Sequence, residues 1–166
     1  MKKSKKSPAT FAARGAIVAA LYVVLTYVSF VFGMASGAIQ LRLSEALCIL
    51  PIFMPEAIFG LFVGCILSNL IFSGLVLDVI FGSLATLIGA LCAYLLRKMP
   101  EKIKWTATLP TVVANMLIVP LVLIYYGTED AYWFLVFTVG IGELLSAGAL
   151  GSLLYYAVNK KAKHLF

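Results

Sequence analysis

The sequence predicts an all-α integral membrane protein, a bundle of six transmembrane helices with N- and C-termini on the cytoplasmic side. Composition is the first observation behind this. Of 166 residues, 63% are hydrophobic and 12% charged, with a mean hydropathy of +1.04, far from the balance of a soluble domain. The second is the recurrence of apolar stretches near the length of about 20 residues that a spanning helix needs. The third is the placement of the positive charge. Lys2, Lys3, Lys5, Lys6 and Arg14 open the chain, Arg97, Lys98, Lys102 and Lys104 sit in the middle, and Lys160, Lys161 and Lys163 close it. Only Arg42 stands apart. Basic residues in short loops stay cytoplasmic, so an even number of crossings must separate each pair of clusters. The net charge of +6 flanks apolar spans, which points to the anionic inner leaflet rather than to nucleic acid.

The elements follow in order. Residues 1–10 form a basic cytoplasmic tail, 11–158 the membrane domain and 159–166 a second basic tail. The first span, 11–32, has a basic start and small residues after it, as a signal peptide does. Its apolar run from Gly15 to Gly33 exceeds the usual cleaved core of about 7–15 residues, so it reads as a retained helix. The stretch Leu43–Phe72 is too long for one comfortable span and is interrupted by Pro51, Pro55 and Glu56. Parity requires it to cross twice or not at all, which gives short helices at 44–54 and 56–73, the first of them short enough to be re-entrant. Ser44 suits its N-cap. The remaining spans are 75–96, 105–126 and 131–158. External loops then fall at 33–43, 73–76 and 127–131, the first carrying Gly33, Ser36 and Gly37. Cys48, Cys65 and Cys92 lie in apolar sequence without C-x-x-C spacing and read as small buried hydrophobes.

Small residues at four-residue spacing mark close helix contacts in lipid. Such stripes are Ala12, Ala16 and Ala20, then Gly60, Gly64 and Ser68, then Gly82, Thr86 and Ala90. Spacing does not say whether each stripe packs inside the bundle or docks another membrane protein.

Polar residues in these spans are costly. Asp78 shares a face with Gly82, Thr86 and Ala90 near the external end of its helix. Glu143 lies near the bilayer centre beside Gly140, Ser146 and Ala147, where a charge costs about 2.5–3.5 kcal/mol on insertion scales. Such a residue marks a pathway or binding site, or else a protonated acid bonded to another helix. Asn115, with Thr111 one turn earlier and Pro120 after it, could line a polar cavity or join helices. Gln40, Arg42 and Glu45 crowd the entrance to the second helix; Arg42 and Glu45 could pair, or form part of a ligand site under the first loop. Tyr125, Tyr126, Tyr132, Trp133 and Phe134 read mainly as an interfacial belt, from which Trp133 could cover a flat ligand.

No phosphate-binding G-x-x-x-x-G-K-[ST] loop, metal-ligand spacing, G-x-S-x-G elbow or H-E-x-x-H motif occurs, and the single histidine is His164. The chain reads as a binding bundle without cofactor, catalysis or motor. A stand-alone transporter using Asp78 and Glu143 as proton carriers remains the alternative of a different class.

Over residues 10–158 the sequence resembles the QueT-type queuosine-precursor transporters, substrate-binding (S) subunits of energy-coupling-factor (ECF) transporters. The resemblance rests on Ile39–Leu47 (IQLRLSEAL), Leu50-Pro51, Pro55–Leu61, Gly64-Cys65 with Asn69, Asp78–Leu87 (DVIFGSLATL) and Gly140-Ile141-Gly142-Glu143. It implies a six-helix bundle in a prokaryotic plasma membrane, with ligand bound near the external face under the first loop. It implies docking through Ala12, Ala16 and Ala20 to a transmembrane coupling subunit that works with two cytoplasmic ATPases. The substrates it implies are 7-deazaguanines such as preQ0, preQ1 or queuine; another vitamin-like heterocycle, such as riboflavin or thiamine, is the alternative. For a guanine-like edge, Glu143 is the first candidate and Asp78 the second, with Asn115 donating to the ring carbonyl, and with Gln40, Arg42 and Glu45 closing over the ligand.

Overall fold

A computed structural model describes residues 7–35 and 39–162. Lys2, Lys3, Lys5, Lys6, Ser36, Gly37, Lys163 and His164 lie outside the described residues. The first helix, α1 (Pro8–Val31), starts three residues before the expected span, because Ser7 caps it: its hydroxyl accepts from the Thr10 N–H at 3.2 Å. Pro8, with no N–H to satisfy, occupies the first turn. Gly33 at φ +67° turns the chain out of the helix.

After the first loop comes a 3-10 helix, Leu43–Ile52. Its ten residues rise about 2.0 Å each, so it reaches about 20 Å, short of a hydrocarbon core of about 30 Å. The expected second helix is therefore a short rod buried among the long helices rather than a helix facing lipid. Seven of its ten residues are buried, packed by the long helices on either side. That enclosure is what permits Ser44 and Glu45 at membrane depth. Ser44 lies inside the helix rather than capping it, and is hydrogen-bonded to Thr26 through the two hydroxyls at 2.9 Å.

Four long helices follow: α2 (Glu56–Ser73), α3 (Asp78–Lys98), α4 (Lys104–Tyr125) and α5 (Tyr132–Lys160). With α1, five helices among the described residues are long and apolar enough to cross a membrane. Gly74 at φ +67° ends α2, and the next helix is entered just after it, with the Val79 N–H donating to the Leu75 carbonyl at 3.1 Å. Their surfaces carry many exposed large apolar side chains, such as Ile17, Val24, Leu95, Phe137 and Leu153. Such a surface suits lipid and not water.

Small residues set the packing inside. Ala57, Ala85, Ala90, Ala93, Ala107 and Ala147 are fully buried. α1 and α2 run parallel, and the stripe of Gly60 and Gly64 packs within the bundle. A Cβ at Gly64 would stand 2.8 Å from the Tyr22 Cβ and 3.0 Å from the Ala19 carbonyl. The face of α1 that meets this stripe is Gly15, Val18, Ala19 and Tyr22. Ala12, Ala16 and Ala20 lie on the other side of α1 and are exposed.

Apart from Arg42, the described basic residues gather at one end. Arg14 pairs with the buried Glu56 at 3.4 Å, and the Tyr155 hydroxyl donates to the Glu101 carbonyl at 3.3 Å between α5 and the α3–α4 connection. At the far end the Leu77 N–H donates to the Tyr126 hydroxyl at 3.1 Å, and the Phe30 and Phe72 rings stack at 5.7 Å.

Candidate functional site

The polar residues of the far half form two connected levels. The inner level is centred on Glu45. Its carboxylate accepts from the Tyr22 hydroxyl, and from the Cys48 thiol at 3.2 Å. Glu45 is thus held by α1 and by its own helix rather than ion-paired with Arg42. Glu143 on α5 is 6% exposed and has Glu45, Arg42 and Asn115 as its polar neighbours. One oxygen of Glu143 (Oε2) and the amide nitrogen of Asn115 are both buried without a hydrogen-bond partner. A buried acceptor and donor left open is uncommon in a folded protein.

The outer level is a cavity of about 430 Å³ at the far end, within the range of about 300–1,000 Å³ usual for small-molecule sites. Gln40, Arg42 and Asp78 line it, with Ser68, Ser73 and the stacked Phe30 and Phe72. Asp78 arrives through a π-helical turn, Asp78–Gly82, and accepts from the Ser73 hydroxyl at 2.6 Å. Asn69 donates to the Asp78 backbone carbonyl at 2.9 Å, which ties α2 to α3.

Arg42 joins the levels, since its charge acts on Asp78, Glu45 and Glu143 together. Its backbone is fixed on both sides. The Arg42 N–H donates to the Ser146 hydroxyl at 3.1 Å, and the next N–H, of Leu43, to the Ser29 hydroxyl at 2.9 Å. Gly142 is needed at this crossing, because a Cβ there would collide with the Gln40 carbonyl. The segment Gln40–Arg42 therefore bears on α5 on both sides of Glu143 and covers it.

Glu143, Asn115, Glu45 and Arg42 come together inside; Gln40, Arg42 and Asp78 come together in the cavity. Trp133 joins neither. It is 75% exposed, against Tyr132 at 5.2 Å, on the outside of the bundle where a belt aromatic belongs. The flat faces at the cavity are instead Phe30 and Phe72. Sequence reasoning missed Tyr22, Thr26, Ser29 and Ser68. A signal existed for the first three. Gly15, Ala19, Tyr22, Thr26 and Ser29 follow a 4-3-4-3 spacing, which puts small and polar groups on one buried helix face.

Membrane-length helices enclosing a polar cavity, together with the family match that follows, define a multi-pass cell-membrane protein of the transporter class. The chain belongs to the QueT transporter family, whose model matches residues 12–160. It is 42% identical over 73 residues to the queuosine precursor transporter QueT of Lactococcus lactis subsp. cremoris (strain MG1363). That match covers 44% of this chain and 43% of the relative, less than half of either. No solved structure matches the chain.

Proposed function

We propose that the chain is the substrate-binding membrane subunit, the S component, of an ATP-driven ECF-type importer, and that it captures a 7-deazaguanine precursor of queuosine from outside the cell. The observation that carries this reading is the open pair inside the bundle, the Glu143 oxygen and the Asn115 amide nitrogen. A guanine-like edge presents an N–H and an NH2 side by side beside a ring carbonyl. A carboxylate accepts from both in a charge-assisted pair, and an amide donates to the carbonyl. Glu45, already bonded to Tyr22 and Cys48, holds Arg42 in place by its charge. Gln40 and Arg42 close over the ligand, and Phe30 and Phe72 border the cavity.

The partners belong to the same proposal. Ala12, Ala16 and Ala20 leave a shallow, lipid-exposed strip on α1 suited to close approach by a transmembrane coupling subunit. Two cytoplasmic ATPases would supply the phosphate-binding loops that this sequence lacks.

The test is binding of a 7-deazaguanine to the purified chain in detergent, with mass spectrometry of any co-purified ligand. Glu143→Gln should lose at least about tenfold in affinity while the protein stays folded, because one charge-assisted contact is removed. Unchanged binding would remove Glu143 from the site. Uptake into liposomes holding this chain alone, driven by a pH gradient, would overturn the S-component reading.

A further inference from the structure

On the lipid side of the bundle, a groove of about 520 Å³ opens between α3 and α4, lined by apolar residues throughout. Its floor is the less exposed Pro110 and Ala114, and its walls are Ile88, Leu109, Val113 and Leu117, each between 41% and 50% exposed. The buried Gly89 lets the two helices meet closely here: a Cβ on it would stand 2.7 Å from the Thr111 Cα. From Leu109 to Ile118 the groove follows α4 for about 14 Å, close to half of a hydrocarbon core of about 30 Å. The exposed ridge of α3 runs through Leu84, Ile88, Leu91 and Leu95 and reaches Lys98 three residues later. The exposed ridge of α4 runs back through Leu117, Val113 and Leu109 to Trp105, and Lys102 stands three residues before it. Both lysines are exposed, and neither is ion-paired among the described residues. The acid of this connection, Glu101, has its carbonyl bonded to the Tyr155 hydroxyl of α5. Trp105 sits at the level where an interfacial aromatic belongs. Past Ile118 the groove continues along Leu121 and Tyr125, but the charges near that end are the acids Asp78, Glu129 and Asp130.

We infer that the α3–α4 groove holds one anionic glycerophospholipid, with an acyl chain along Ile88, Val113 and Leu117 and its phosphate between Lys98 and Lys102. The groove is one leaflet deep and gives the chain an apolar bed, while two ammonium groups at its mouth attract a negative headgroup. The lysine stems lie along the apolar wall and carry their charges to headgroup level. The acidic far end repels such a headgroup, so the lipid enters from the basic side. The site is separate from the strip of Ala12, Ala16 and Ala20, because α1 packs against α2 and the short helix. The inference therefore stands apart from the proposed function and needs neither ligand nor coupling subunit.

The experiment is native mass spectrometry of the full chain, delipidated in detergent and titrated with dioleoylphosphatidylglycerol or with dioleoylphosphatidylcholine, which has the same chains and no net charge. The phosphatidylglycerol should form a one-to-one adduct at least about fivefold more tightly. Lys98→Gln combined with Lys102→Gln should bring it to within about twofold of the phosphatidylcholine, whereas Lys160→Gln, at the end of α5, should change it less than about twofold. Val113→Trp, or Leu117→Trp as a second filling variant, should weaken both lipids at least about fivefold with helix content by circular dichroism unchanged. Equal adducts of the two lipids on the unsubstituted chain, an undiminished preference in the double variant, or an equal loss in Lys160→Gln would overturn the inference. Unchanged adducts in both filling variants would overturn it too, as would a dimer mass that Val113→Trp abolishes, since a second copy of the chain would then cover the groove.

Discussion

Tyr22 shows how one residue can set the chemistry of a membrane interior. Its Cβ sits against Gly64 at the α1–α2 contact, and its hydroxyl reaches Glu45 on the short helix. A carboxylate at this depth is tolerable only because donors meet it. Tyr22→Phe keeps the packing and removes one donor, leaving a buried carboxylate oxygen unanswered. The cost should be roughly 1–3 kcal/mol, read as a fall of about 2–4 °C in melting temperature per kcal/mol for a chain of this size. A melting temperature equal to that of the unsubstituted protein would show that the hydrogen bond contributes nothing. Asp78 and Glu143 illustrate the limit of single-residue reading. Both stand out in the sequence as charges in apolar spans, yet they sit at different levels, one lining the cavity and one beneath the segment Gln40–Arg42.

Among the elements, α1 has two faces with opposite fates. The buried face presents Gly15, Ala19 and Tyr22 to the Gly60 and Gly64 stripe, and the exposed face presents Ala12, Ala16 and Ala20. Gly64→Leu must push α1 and α2 apart, so the protein should lose monodispersity on gel filtration and bind no ligand. Ala16→Leu points away from the bundle. It should leave the melting temperature within about 2 °C, retain ligand binding, and lose co-purification with the proposed coupling subunit. Retained co-purification would move the docking surface elsewhere. The short helix Leu43–Ile52 makes the opposite point. Wound as an α-helix, its ten residues would reach only about 15 Å; the 3-10 winding lengthens it by about a third and carries it from the Arg42 level to Phe53, which stacks on Tyr155 at 5.7 Å.

At the scale of the whole molecule, the described basic residues other than Arg42 lie at the end opposite the cavity. Arg14, Arg97, Lys98, Lys102, Lys104 and Lys160 stand at the starts of α1 and α4, the ends of α3 and α5, and the connection between α3 and α4. Read by the positive-inside rule, that arrangement supports the proposal that the cavity faces outward. A cysteine at Glu129, in the connection between α4 and α5, should react with a membrane-impermeant maleimide in intact cells, whereas one at Lys102 should react only after lysis. The unsubstituted chain, whose Cys48 and Cys65 are buried, serves as the control. The reverse labelling would place the cavity in the cytoplasm and end the import reading.

Composition alone determined that this chain lives in a membrane, because insertion responds to apolar length, a linear property of a sequence; charge order, equally linear, carries the proposal for how its ends are sorted. The same linear reading marked Glu143, Asn115, Asp78 and Arg42, since a polar group in lipid is costly wherever the chain folds. Only the tertiary structure decided which of them meet. It buried Leu43–Ile52 inside the bundle, gave Glu45 to Tyr22 and Cys48, left Trp133 outside, and put Phe30 and Phe72 at the cavity. These outcomes depend on the backbone approaches allowed by Gly64 and Gly142: how near two helices come fixes which side chains share one space, and spacing along a single helix carries no record of that distance.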